Sequence, residues 1–134
     1  MRKLTAVKSG LMALLGICAG CSQEASFKQV SFKNDIFPIF QERCMICHAV
    51  GSPGCVVSGF SVETYDSLMK GTKFGPMIIA GSSADSNLLR LVKHQADPSI
   101  AMPRSQTPGE PSGWLKPQQI NLIETWINQG AKNN

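Results

Sequence analysis

The chain has 134 residues, 43% hydrophobic and 16% charged, with five cysteines and a formal net charge of +4. That length holds one domain, not a catalytic domain joined to a substrate domain, and the composition is globular rather than disordered or fibrous. Three of the thirteen basic residues, Arg2, Lys3 and Lys8, lie in the leading segment and no run of five basic residues occurs, so nucleic acid is not an expected partner.

Residues 1–20 read as a targeting segment. Arg2, Lys3 and Lys8 form a positive region, and the apolar run Gly10 to Cys18 is too short to span a bilayer. Cys18-Ala19-Gly20-Cys21 resembles a bacterial lipobox, in which a small residue precedes the cysteine that is cleaved and lipidated. The departure is Cys18, where such sites carry an aliphatic residue. The reading favoured is a lipoprotein-type signal peptide with lipidation at Cys21; the alternative is a plain secretory signal cut near Gly20 or Ala25. A diacyl-plus-amide anchor of that kind holds stably on a membrane surface, where one acyl chain would not.

Residues 21–30 are short and polar and read as a tether, leaving 31–134 as the folded domain. Asn34 or Asp35 can cap a first helix that admits Pro38 only in its first turn. Along it Phe37, Phe40, Cys44 and Cys47 recur at helical spacing. Ser61 can cap a second helix over 62–70, stopped by Gly71. Asp85 or Ser86 opens a short third around Leu88, Leu89 and Val92. The fourth starts at Pro117, carries Ile120, Ile123, Trp126 and Ile127 on one stripe, and ends at Gly130. No alternating run of β-branched residues is long enough for a sheet. The fold class is all-α, about four short helices with long loops.

One motif decides the chemistry. Cys44-Met45-Ile46-Cys47-His48 is the C-x-x-C-H attachment sequence for a c-type haem. Two intervening residues set the thiols one helical turn apart, opposite the two vinyl groups of the porphyrin, and the adjacent His48 points its imidazole at the iron. A thioredoxin-like C-x-x-C wants a βαβ setting, which is missing. A zinc site wants a second Cys/His pair, and only Cys55 and His94 remain, without paired spacing. Attachment occurs outside the cytoplasm, so the export signal and the motif support each other.

The string Asn34-Asp35-Ile36-Phe37-Pro38-Ile39-Phe40 leading into the motif resembles class I monohaem c-type cytochromes, in their bacterial exported D-I-x-P-I-F-x-x-x-C-x-x-C-H form. The similarity continues at Thr64 to Leu68, at Ile79-Ala80-Gly81, at Ser86 to Leu88, at Met102-Pro103 and at Ile123 to Ala131, so it covers nearly the whole domain. The resemblance implies a class I fold in which the N- and C-terminal helices cross, with Phe40 and Trp126 near the contact. It also implies a covalent haem c, its iron included, and a Met-Pro ligand at Met102. The loop 51–59 departs from the pattern by carrying Cys55.

The sixth iron position separates carrier from catalyst. Met69 sits in a helix beside Leu68 and reads as core. Met77, in an apolar run, reads as pocket lining. Met102 lies among Pro98, Pro103, Pro108, Pro111 and Pro117, in a stiff loop where a methionine has little packing reason to stand and a thioether makes a good axial ligand. Met102 is therefore the favoured ligand, with His94 or no protein ligand as alternatives; His94, between Lys93 and Gln95, is expected in solvent. Cys55 reads as a small buried hydrophobe or a free thiol, Trp114 as a haem-edge or loop-packing residue, and Arg104 and Lys73 as solvated.

The expected function is one-electron transfer in the periplasm or at the outer face of a membrane, between a redox-protein donor and acceptor, without a small-molecule substrate at the iron and without enzymatic activity. Two rivals stay open: a haem-bearing subunit of a larger oxidoreductase, and an open-iron haem enzyme or gas sensor.

Overall fold

The computed structural model describes residues 28–104 and 114–134. The targeting segment, Cys21, most of the tether, Pro108 and Pro111 lie outside the described residues. Among those described the chain is helical and contains no strand, only two isolated bridges, Thr72 with Gly75 and Ile79 with Ser82. None of the described helices is long and apolar enough to cross a membrane.

The first helix begins earlier than the sequence suggests, and in a different form. Ser31, not Asn34 or Asp35, is the cap: its hydroxyl accepts from the Asn34 N–H at 3.2 Å while its own N–H donates to the Asp35 carboxylate at 2.8 Å. Together these satisfy donors that a helix start leaves orphaned. The capped segment is a π-helical turn, Phe32–Ile36, which passes directly into helix α1, Phe37–Arg43, with Pro38 in its first turn. Cys44 breaks α1, and helix α2 is the four-residue turn Met45–His48.

Helix α3, Pro53–Ser58, falls in the stretch expected to be a loop. Its composition hid it, because Gly54, Val56 and Val57 are weak helix formers. The markers were present, with Pro53 in the first turn and Gly59 in the left-handed region at φ 78°. Helix α4 spans Tyr65–Lys70 under a Thr64/Ser67 capping box, so it starts three residues later than the expected 62, capped by Thr64 instead of Ser61, and it stops at Gly71. Helix α5, Asn87–Val92, follows Ser86, whose hydroxyl donates to the Ser82 carbonyl instead of capping the helix, and helix α6, Pro117–Asn128, is the one read most closely from its stripe.

The two ends of the domain pack together through aromatics. Phe32 lies 5.6 Å from Trp126, 5.2 Å from Tyr65 and 5.7 Å from Phe37, ring centroid to ring centroid. Phe40 and Trp126, expected near the contact of the terminal helices, are both buried, and the ring contact with Trp126 is made by Phe32, from the π-helical turn. Polar bonds fasten the same join. The Trp126 indole donates to the Lys132 carbonyl at 3.0 Å, the Tyr65 hydroxyl to the Ala131 carbonyl at 2.7 Å, and the Lys33 N–H to the Asn134 carbonyl at 2.9 Å. Val30 is buried and its N–H donates to Gln129 at 2.7 Å, so the last residue of the expected tether is part of the fold.

Candidate functional site

The site is built on one turn. The Cys44 carbonyl accepts from the Cys47 N–H at 3.1 Å and from the His48 N–H at 2.9 Å, so a single carbonyl gathers the three motif residues. Cys44 is half-buried and packs against the core, while Cys47 is exposed and neither sulfur is in a disulfide. Burial pushes the Cys44 thiol up to about 12; the neighbouring Cys47 adds to the shift and Arg43 opposes it. A sulfur held in such surroundings suits a thioether, which has no proton to lose.

His48 is oriented from behind. Its Nδ1 lies 3.1 Å from the Phe60 carbonyl oxygen. A carbonyl can only accept, so Nδ1 carries the hydrogen and Nε2 keeps its lone pair for a metal. The Phe60 ring stands edge-on to the imidazole at 5.3 Å, and the Val62 N–H donates to the His48 carbonyl at 3.0 Å. Segment 60–62 thus fixes both the ring and the backbone of His48. Gly54 lets α3 come close: a Cβ there would stand 2.5 Å from the Cys47 carbonyl oxygen and 3.0 Å from His48 Cε1. Neither Phe60 nor Gly54 was singled out from the sequence, because nothing in C-x-x-C-H says which later residue folds back onto it.

These residues fit a haem. The donor set is two thiols on one turn beside an imidazole with its Nε2 free. Ile46, Val50, Val56 and Val57, on and near that turn, leave 69–74% of their surfaces open, an apolar rim of the kind a macrocycle suits. No group of three His, Cys, Asp or Glu residues stands together among the described residues, so the zinc reading gains nothing.

Met102 stands on a different element, the connection between α5 and α6. It is half-buried, and its N–H donates to the Leu91 carbonyl at 3.2 Å. Met69 packs against the hydrophobic core as expected, Met77, expected to line the haem pocket, packs against the same core, and Met102 is not part of that cluster. His94 departs from its expected place in solvent. It is half-buried and stacked on Trp114 at 3.7 Å with the planes 25° apart, because its left-handed backbone, φ 54°, turns the ring back toward the chain. Arg104 and Lys73 are exposed as expected; the Arg104 guanidinium donates to the Ser99 carbonyl. Cys55 is half-buried on α3, and Cys21 lies outside the described residues.

The family model Planctomycete cytochrome C matches residues 44–106, a stretch that opens on the first motif cysteine and includes Met102. Among solved structures, the Kuenenia stuttgartiensis Hydrazine Synthase is similar over 78% of this chain, at 20% identity and a TM-score of 0.51. This chain spans 16% of the length of that one, and at such identity the likeness concerns the fold alone. No curated protein sequence matches. The chain therefore contains a c-type cytochrome domain, and its cofactor is covalently bound haem c with iron.

Proposed function

We propose that this chain is a one-electron carrier of the class I type, in which Cys44 and Cys47 hold the haem by thioether bonds, His48 is one axial ligand and Met102 the other. The observation that carries the reading is the bond from His48 Nδ1 to the Phe60 carbonyl, which reserves Nε2 for iron and fixes the ring's direction. Bound there, the haem supplies reversible one-electron chemistry. The residues' part is to hold, orient and enclose it. Cys44 and His48 are set by one backbone carbonyl, and Gly54 admits α3 against them. With His48 and Met102 both holding the iron, no small molecule would bind the metal, and the partners would be redox proteins that meet the haem edge. Export and anchoring through Cys21 complete the proposal, since haem attachment takes place outside the cytoplasm and a surface-held carrier serves partners on the same membrane.

A second reading, a haem-bearing subunit or module of a larger oxidoreductase, draws on one observation: the similar fold stands within a chain of which this one spans 16%. Both readings share the attachment site and a closed iron, and both are set against the open-iron enzyme or sensor. The direct test is whether carbon monoxide reaches the reduced iron, which a bound Met102 thioether opposes.

A further inference from the structure

The stretch that carries Met102 leaves α5 and comes back to it. The Leu91 carbonyl accepts two N–H groups at once, from His94 at 3.1 Å and from Met102 at 3.2 Å. The loop between these residues therefore departs and returns at a single backbone oxygen. At its start the Gln95 N–H donates to the Arg90 carbonyl of α5 at 2.9 Å, and further along the Ile100 and Ala101 N–H groups bond back to the Asp97 carbonyl, within the loop itself.

What holds the departing end is an aromatic stack. His94 adopts φ 54°, a conformation that side-chain-bearing residues occupy only when their surroundings impose it. Its imidazole lies on the Trp114 indole at 3.7 Å and 25°. Among the described residues the enclosed His94 Nε2 atom has no hydrogen-bond partner, and burial lowers the ring's proton affinity. Trp114 precedes the buried Leu115 and the start of α6, while Lys93, beside His94, bonds to Glu124 of α6 at 2.8 Å. The stack thus ties the end of α5 to the approach of α6, on either side of the connection that bears Met102.

We propose that the His94–Trp114 stack is a clasp that positions Met102, so that its two rings set how firmly the thioether stays on the iron. His94 and Trp114 are positioning residues, not ligands. The inference rests on the reading of Met102 as the sixth ligand, and its test keeps the two apart.

The full-length holoprotein is compared with His94→Gly, Trp114→Ala, Trp114→Phe, Met102→Ala and Ile123→Val. His94→Gly removes the ring while accepting the left-handed backbone without strain. Ile123→Val loosens the buried face of α6 away from the clasp. The readouts are the long-wavelength sulfur-to-iron absorption of the oxidised protein and the concentration of added imidazole that displaces half of it. His94→Gly and Trp114→Ala should keep the absorption but lose it at about tenfold less imidazole, the loss expected when a preorganised ligand is set free. Trp114→Phe, which can still stack, should recover most of the difference, and Ile123→Val should match the unmutated protein. If Met102→Ala abolishes the absorption while both clasp variants stay within about twofold of the unmutated midpoint, the clasp is overturned and the ligand stands. An absorption that persists in Met102→Ala overturns the ligand assignment together with the clasp. Should His94→Gly fail to take up haem, Trp114→Ala against Trp114→Phe decides the matter alone.

Discussion

The Nδ1 atom of His48 lies 3.1 Å from the carbonyl oxygen of Phe60, twelve residues along the chain. The bond makes the tautomer a consequence of the fold. It holds only while α3 keeps its close approach to the motif turn, and Gly54 makes that approach possible. Gly54→Ala would drive a Cβ to 2.5 Å from the Cys47 carbonyl oxygen. Overpacking of this kind costs about 1–3 kcal/mol. Gly81→Ala is the comparison, since Gly81 has φ 85° and nothing within 4 Å, leaving backbone strain alone. Thermal unfolding and haem content per chain should both fall further in Gly54→Ala; equal losses would mean that α3 is not held against the turn.

The join between the chain ends should be the most sensitive part of the fold. Trp126 is fully buried, packs at a tilt against the Phe32 ring and donates to the Lys132 carbonyl, so Trp126→Ala should cost about 3–5 kcal/mol in denaturant unfolding of the holoprotein. Phe74 is 85% exposed, and Phe74→Ala should stay within about 0.5 kcal/mol of the unmutated protein. Similar losses in the two would place the core elsewhere.

Covalent attachment predicts that haem survives acid–acetone extraction of the denatured protein. Cys44→Ser and Cys47→Ser should each leave a single thioether, with the reduced absorption maximum shifted to longer wavelength as a vinyl group returns to the ring. The double variant should lose its haem to the solvent phase. Free extraction of haem from the unmutated protein would remove Cys44 and Cys47 from the site.

Much of this was legible in the sequence and some was not, for physical reasons. Helix α6 declared itself because Pro117 and an apolar stripe are local signals, and the haem motif did so because its chemistry requires a fixed spacing. Helix α3 did not, since Gly54, Val56 and Val57 disfavour helix and only tertiary contact with His48 pays that deficit. The start of the first helix was misplaced because Ser31, Asn34 and Asp35 are all competent caps, and the choice among them depends on Phe32 packing against Trp126, 94 positions away. The polar neighbours of His94 are local and point to solvent, whereas its partner Trp114 is distant in sequence and leaves no local signal.

The anchor motivated by Ala19-Gly20-Cys21 makes a cellular prediction. Membranes washed in high salt should retain the protein, and Cys21→Ser should release it or arrest its processing. Recovery of the unmutated chain in the soluble periplasm would set the lipid anchor aside and leave export alone.

The measurement closest to the central claim is carbon monoxide binding to the reduced holoprotein at neutral pH. A Met102 thioether on the iron must leave before the gas can bind, so the reduced spectrum should change slowly or not at all. In Met102→Ala binding should become fast, the long-wavelength absorption of the oxidised form should vanish and the reduction potential should fall. Met77→Ala, on a side chain packed against the core, should alter none of these. Rapid carbon monoxide binding by the unmutated protein would contradict the closed iron and with it the electron carrier, pointing instead to an enzyme or a sensor.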